Sequence, residues 1–279
     1  MMRILDLTYR LAPAVGKAVT RAWYRYMSRL DKSAKMVFMN YGYAHLDLAD
    51  TGPALHEGDE GDRYCIQLYH HLAAAVDMTG RDVLEIGCGR GGGASYIARY
   101  LKPRAVTGMD IAAEAIDFCN RHHRAEGLTF RQGDAEALPF PDGAFDVIIN
   151  VESSHCYASM PRFLSGVHRC LRTNGLFLFA DRRDGRQVGA LRQQLRSGGF
   201  EELRMQNISA NILRALDLDD RRKLALIDDG VPWLFRKTFK QFAAVRGTSL
   251  YRSFQNRNWE YLSFILRKPA VQNIVASGY

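Results

Sequence analysis

The chain lacks any apolar run near the ~18–20 residues that a membrane-spanning helix needs. Asp6, Arg10 and Lys17 interrupt the N-terminal stretch, so it also lacks a signal-peptide core of ~7–15 residues. Cysteines are few: five, at positions 65, 88, 119, 156 and 170, with no C-x-x-C pair. That odd, unpaired set argues against a disulfide framework and a cysteine zinc site, and points to the cytoplasm. No H-x-x-H or clustered carboxylate pattern stands near the later candidate site, so no metal is expected. Repeats and low-complexity stretches are absent too. What remains is a chain of 279 residues, 47% hydrophobic and 24% charged, enough for one globular domain with an added cap.

The net charge of +8 is spread unevenly, with −2 over residues 65–181 and +9 over 182–279. A basic surplus suits anionic partners or simply solubilises a surface. Residues 1–35 hold eight Lys/Arg against two Asp, which suits a transit segment or peripheral contact with an anionic membrane.

Apolar spacing predicts helices over 4–30 (broken near Pro13 and Gly16) and over 64–77, separated by a polar loop at 47–63. Short strands at Val83–Ile86, Ala105–Met109, Leu128–Gln132, Phe145–Asn150 and Leu176–Ala180 alternate with helices at about 93–101, 112–125 and 161–171. Such alternation implies βαβ units and a parallel sheet. A helix at about 186–197 stops at Gly198-Gly199. A strand at Phe200–Gln206, two or three helices within 208–255, and a last strand at Trp259–Leu266 follow. The expected organisation is a lid and linker over 1–64, a core over 65–207 and 256–268, a cap over 208–255, and a tail over 269–279.

The sharpest local signal is Val83-Leu84-Glu85-Ile86-Gly87-Cys88-Gly89-Arg90-Gly91-Gly92-Gly93. A strand runs into a glycine turn that lets a ligand approach the backbone, and then into a helix. The glycines alone also satisfy the dinucleotide fingerprint. Glu85 counts against that reading, because an acid at the strand end repels a pyrophosphate and accepts a cationic ligand. Asp110, closing the second strand beside Ile111, can accept hydrogen bonds from two ribose hydroxyls. Then comes Gly133-Asp134-Ala135-Glu136-Ala137-Leu138-Pro139-Phe140, with Phe145-Asp146-Val147-Ile148 soon after.

Together these segments resemble the class I S-adenosylmethionine-dependent methyltransferases over about residues 65–181. The resemblance implies a Rossmann-like α/β fold: a mostly parallel seven-stranded sheet with the last strand antiparallel, an N-terminal helical lid and a helical cap insertion. It implies S-adenosylmethionine as cofactor. Gly87, Gly89 and Gly91, with Cys88 inside the turn, would approach the methionyl part, and Asn150 would lie beside it. Asp110 and Ile111 would hold the ribose. Asp134 and Ala135 would flank the adenine.

Ligands of such sheets sit beyond the carboxyl ends of the strands, which puts Val151-Glu152-Ser153-Ser154-His155-Cys156-Tyr157 over the acceptor. Methyl transfer to an alcohol needs in-line positioning and a base. His155 is the candidate base, because an imidazole ordinarily titrates near ~6.5. Asp181, at the end of the fifth strand, is the candidate to orient it. Glu152 and Tyr157 are candidate acceptor contacts. Tyr41 and Tyr43 are candidates for an aromatic lid that closes over the cofactor and expels water, with Tyr69 a candidate to stack near it. Aromatic residues of the cap (Trp233, Phe235, Phe239, Phe242, Tyr251 and Phe254) would wall an apolar acceptor pocket.

No Asn/Asp-Pro-Pro-aromatic segment and no Pro-Cys nucleophile follow the fourth strand, which disfavours a nucleic-acid substrate despite the charge. The segments NVESSHCY, Phe38-Met39-Asn40-Tyr41-Gly42-Tyr43 and Gln67-Leu68-Tyr69-His70 are similar to the mycobacterial phthiotriolone and phenolphthiotriolone dimycocerosate O-methyltransferases, over about 36–181. The implied activity is O-methylation of a hydroxyl or ketone-derived oxygen on a small natural product, lipid or glycosylated polyketide. The rival readings are C- or N-methylation, a cofactor-binding partner protein without turnover, and an NAD(P) oxidoreductase.

Overall fold

The computed structural model describes residues 36–47 and 49–270. The helix predicted over 4–30 and most of the tail lie outside the described residues.

Among the described residues, seven strands form one sheet: β1 (Asp82–Ile86), β2 (Ala105–Asp110), β3 (Leu128–Gln132), β4 (Phe145–Val151), β5 (Leu171–Asp184), β6 (Glu201–Asn207) and β7 (Trp259–Arg267). Their spatial order is β3-β2-β1-β4-β5-β7-β6. The strands β1 to β5 pair in parallel. The last, β7, runs antiparallel between β5 and β6. The chain reverses its direction of travel across the sheet between β1 and β4, and the crevice above that point is where such folds bind ligands.

The core helices are α1 (Arg63–Ala73), α2 (Gly92–Tyr100), α3 (Ala113–His122), α4 (Met160–Cys170) and α5 (Val188–Ser197). Side chains alternate across each strand, so neighbours enter different cores. Val83, Val106 and Val147 pack with Leu72, Tyr96 and Ile97 of α1 and α2 on one face. Leu84, Ile148 and Phe177 pack with Phe163, Val167 and Leu195 of α4 and α5 on the other. Both faces are therefore covered, as a parallel sheet requires.

Several boundaries differ from the sequence reading. The polar stretch at 47–63 contains a 3-10 helix at Glu57–Asp62, and α1 stops at Ala73 rather than 77. The fifth strand, read as Leu176–Ala180, runs from Leu171 to Asp184, because β7 supplies an antiparallel partner as far as Asp184↔Trp259. The cap holds four helices instead of two or three: α6 (Ser209–Leu218), α7 (Asp220–Gly230), α8 (Trp233–Phe242) and α9 (Ser249–Gln255). It has a small core of its own, made by Ile227, Val231, Phe239 and Val245. The described part of the expected helical lid, residues 36–47, is irregular rather than helical.

Candidate active site

The glycine turn follows β1 with Gly87, Gly89 and Gly91 all at positive φ (73°, 53° and 79°), a region costly for other residues. Gly87 and Cys88 donate their amides to the Met109 carbonyl at 2.8 and 3.0 Å. Gly89 donates to Asp110 Oδ2 at 2.9 Å, and Ala112 donates to Oδ1 at 2.9 Å. Asp110 therefore fixes the turn from the end of β2. Its burial raises its pKa.

A cavity of about 1660 Å³ opens above this turn, larger than the ~300–1,000 Å³ usual for one small ligand. Gly87, Cys88, Gly89, Asp110, Ile111, Asp134 and Ala135 lie on its wall. Glu85, Gly91 and Asn150 stand behind that wall. Glu85 is fully buried and accepts from the Tyr69 hydroxyl at 2.6 Å; its Oε2 has no hydrogen-bond partner. Burial lifts its carboxyl to about 7. Asn150 donates to the Ile86 carbonyl (2.9 Å), Ser153 Oγ (2.7 Å) and Tyr157 Oη (2.9 Å), while its Oδ1 is buried without a partner. Asn150 thus braces the turn and Tyr157 from beneath, where the sequence reading put it beside the ligand.

These residues fit S-adenosylmethionine. Asp110, Asp134 and Glu136 face this lobe, and Glu85 keeps an orphaned carboxylate oxygen behind it. That concentration of carboxylates suits ribose hydroxyls and a cationic amino acid, and opposes the pyrophosphate of a dinucleotide.

His155 lines the cavity, and its side chain is 19% exposed. Its Nδ1 lies 2.8 Å from Asp181 Oδ1, and its backbone amide donates to Asp181 Oδ2 at 3.0 Å. Ser154 Oγ donates to the same Oδ2 at 2.5 Å, and Arg183 Nη1 stands 3.1 Å from it. Asp181 is fully buried behind His155, away from the cavity wall and three residues short of the end of β5. This corrects the expectation that it ends its strand and reaches the pocket. Burial and the Arg182 charge oppose protonation of His155; Cys156 and Asp181, with the Asp181 hydrogen bond, outweigh them and lift the imidazole to about 9. Burial would raise Asp181, but the His155 and Arg183 charges hold its carboxyl far below the usual range.

Glu152 lines the cavity at φ 49°, a strained value for a residue with a side chain. Its Oε1 accepts from the Tyr41 amide at 2.9 Å and the Tyr261 hydroxyl at 2.8 Å, and burial raises its pKa to about 7. Glu152 thereby ties the residue 36–47 segment to the site. Gly42, at φ 86°, turns the chain so that Tyr41 and Tyr43 part. Tyr41 faces the cavity and packs edge-on against Phe254 at 5.5 Å. Tyr43 stacks on His71 at 4.6 Å, away from the cavity, and so is not part of a lid over the site. Tyr69 and Tyr157 do reach the wall.

The cap closes the far lobe. Phe235 and Phe242 line it, while Phe239 turns into the cap's own core, Tyr251 and Phe254 into the main core, and Trp233 into solvent. Sequence reasoning missed Arg182, which lines the cavity with its guanidinium 4.1 Å over the Trp259 ring. The signal lay next to Asp181, and reading the strand through to 184 would have exposed it. Among the described residues, no group of three His, Cys, Asp or Glu is placed to hold a metal ion, and no helix is long and apolar enough to cross a membrane.

Comparison with known proteins agrees with this geometry. The family described as Methyltransferase domain matches residues 84–179. A fatty-acid O-methyltransferase of Mycolicibacterium smegmatis is 38% identical over 264 residues, covering 95% of each chain. A phthiotriol/phenolphthiotriol dimycocerosates methyltransferase of Mycobacterium tuberculosis is 38% identical over 252 residues, 90% of this chain and 93% of that one. Among solved structures, geranyl diphosphate C-methyltransferase from Streptomyces coelicolor, complexed with Mg2+, geranyl diphosphate and S-adenosyl-L-homocysteine, superposes with a TM-score of 0.64 at 16% identity, over 90% of this chain and 97% of that one. At that identity the likeness speaks for the fold alone; the 38% identity over nearly the whole length decides the family. The chain belongs to the class I S-adenosylmethionine-dependent methyltransferases.

Proposed function

We propose that the protein methylates an oxygen of a lipid, with a hydroxyl as acceptor and His155 as its base. The observation that carries this reading is the His155–Asp181 pair on the wall of one continuous cavity, which runs from the glycine turn to the Phe235 and Phe242 side chains of the cap. The named acceptors of its relatives, fatty acids and phthiotriols, support a long apolar molecule in that second lobe.

Gly87, Gly89, Asp110, Ile111, Asp134 and Ala135 would hold S-adenosylmethionine, which when bound supplies a methyl group on a sulfonium. Asp181 accepts from His155 Nδ1–H and leaves Nε2 to take the acceptor's proton. Asp181 stays ionised and steadies the imidazolium so formed. Glu152 and Tyr41 close the site against water, which strengthens each electrostatic contact inside. Tyr157, which lines the cavity beside Gly87, would position the acceptor hydroxyl so that its proton passes to His155 as the oxygen is methylated.

A second reading has one observation in its favour. With its pKa near 9, His155 is an imidazolium at neutral pH before ligands bind. Beside Arg182, that cation would bind a carboxylate, which needs no base. Matched alcohol and carboxylic acid acceptors of equal chain length, assayed by product mass across pH 6 to 10, separate the two. An alcohol reaction speeds up as His155 loses its proton; a carboxylate reaction slows. Product from neither acceptor sinks the oxygen assignment and turns attention to carbon and nitrogen acceptors.

A further inference from the structure

We propose that α8 is a docking surface for an anionic phospholipid bilayer, seating the mouth of the acceptor lobe directly on the lipid. The helix presents three different faces. Phe239 points down into the core of the cap. Phe235 and Phe242 line the cavity. Trp233 and Leu234, at the helix start, are 80% and 64% exposed. Phe235, still 39% exposed, joins this outer tip to the cavity wall. The apolar surface therefore continues from the outside of the cap into the acceptor lobe.

The charge around that tip identifies what covers it. Residues 233–242 contain Arg236, Lys237 and Lys240 and no acidic residue. Lys237 is exposed. Arg236 and Lys240 each lie 3.5 Å from Asp228, which one carboxylate cannot fully neutralise. A Trp/Leu tip flanked by cations is the composition of an interfacial helix, with the rings at headgroup level and the ammonium groups on lipid phosphates. A second copy of this chain would bring like charges together across a two-fold axis. A negatively charged bilayer satisfies the apolar and basic parts at once.

The benefit to turnover rests on the lipid-acceptor reading above: an acceptor would pass from bilayer to cavity past Phe235 without crossing water. The docking itself can be read without turnover. The full chain is co-sedimented with vesicles of phosphatidylcholine alone and of phosphatidylcholine mixed with phosphatidylglycerol, at low and high salt. The wild type binds the mixed vesicles more tightly, and salt weakens the binding. The double variant Trp233→Ser/Leu234→Ser loses about tenfold or more in vesicle affinity, and Lys237→Glu loses the preference for phosphatidylglycerol. Both variants keep wild-type thermal unfolding, S-adenosylhomocysteine affinity and activity on a detergent-dispersed acceptor, since none of the three residues lines the cavity.

Wild-type protein that binds neither vesicle overturns the proposal. So does a double variant that binds as tightly as the wild type, which would move the contact to another surface such as the basic N-terminal residues. A wild-type dimer that the double variant converts to monomer, with no vesicle dependence, would make this face a self-interface instead. If tip-dependent vesicle binding persists while no lipid acceptor is methylated in detergent, docking stands and the acceptor assignment falls.

Discussion

Asp181 grips His155 twice, through the ring Nδ1 at 2.8 Å and through the backbone amide at 3.0 Å, across 26 positions of sequence. The imidazole is thus held in ring orientation and in main-chain position by one carboxylate. Ser154, Arg183 and the Arg182 backbone amide donate to the same carboxylate as well, which keeps its charge in place within the fold. As the proposed base, an imidazole held this way would need no reorganisation when it receives a proton.

Removing the imidazole should therefore damage chemistry and spare binding. His155→Ala is expected to lower kcat by about 10²–10⁴, the usual contribution of a general base, with S-adenosylhomocysteine affinity unchanged by calorimetry. Asp181→Asn should cost activity and also stability, because Arg183 loses its buried partner; breaking such a pair typically costs about 3–5 kcal/mol. A His155→Ala enzyme at wild-type rate would remove His155 from the mechanism.

The pH profile carries the same information. With the imidazole lifted to about 9, kcat/KM for an alcohol should climb from neutral pH to an alkaline plateau rather than level off near the ordinary histidine value. The elevation also links to stability. The folded state holds a proton that the unfolded chain releases above about 6.5. His155 therefore contributes stability that is fully present below that pH and is lost as the pH rises towards 9. Thermal melts of wild type and His155→Ala between pH 6 and 9.5 test this, and their difference should shrink with rising pH.

Asp110 fixes Gly89 and faces the cavity lobe above the glycine turn, where the cofactor is proposed to bind. Asp110→Ala should weaken S-adenosylhomocysteine by about 10–100-fold, the range expected when a charged hydrogen-bonding group is lost. Equal affinity in the variant, measured by calorimetry, would contradict the assignment of the cofactor to this lobe.

Gly87 tests the turn itself. A Cβ there would lie 2.4 Å from Ser153 Oγ and 3.1 Å from Tyr157 Oη, at φ 73°. Gly87→Ala should destabilise by about 1–3 kcal/mol through strain and overpacking, and should disturb the Asn150–Ser153–Tyr157 cluster. Denaturant melts measure the first effect, and the acceptor KM reads the second.

The cap should set acceptor length. Phe242→Ala enlarges the far lobe, so the ratio of kcat/KM for long over short acceptors should change by about 10-fold or less, the scale of a few methylene contacts. The S-adenosylmethionine KM should stay constant. An unaltered length preference would mean that the acceptor does not extend under α8.

The strand–glycine-turn–helix of β1 and α2, the acid at Asp110 and the order of strands β1 to β4 were legible in the sequence, because each depends on local spacing. Periodicity of two or of 3.6 residues reports which neighbours share a face, and the glycines report where φ turns positive. The family resemblance followed from these segments, and 38% identity over nearly the whole chain bears it out. The His155–Asp181 pairing was anticipated, but its geometry was not. The length of β5 depended on β7, a partner about eighty residues later, so Asp181 appeared terminal when it is internal and Arg182 went unnoticed. Tyr41 and Tyr43 look equivalent in sequence; the turn at Gly42 sends one into the cavity and the other onto His71. Likewise, six aromatic residues of the cap look alike on the page, and only packing divides them among cavity, core and solvent. The glycine turn and the acid that fixes it were legible in the sequence, because they rest on local spacing within successive strands. The far lobe of the cavity was decided by tertiary structure, because its walls come from elements that meet only when the last strand enters the sheet.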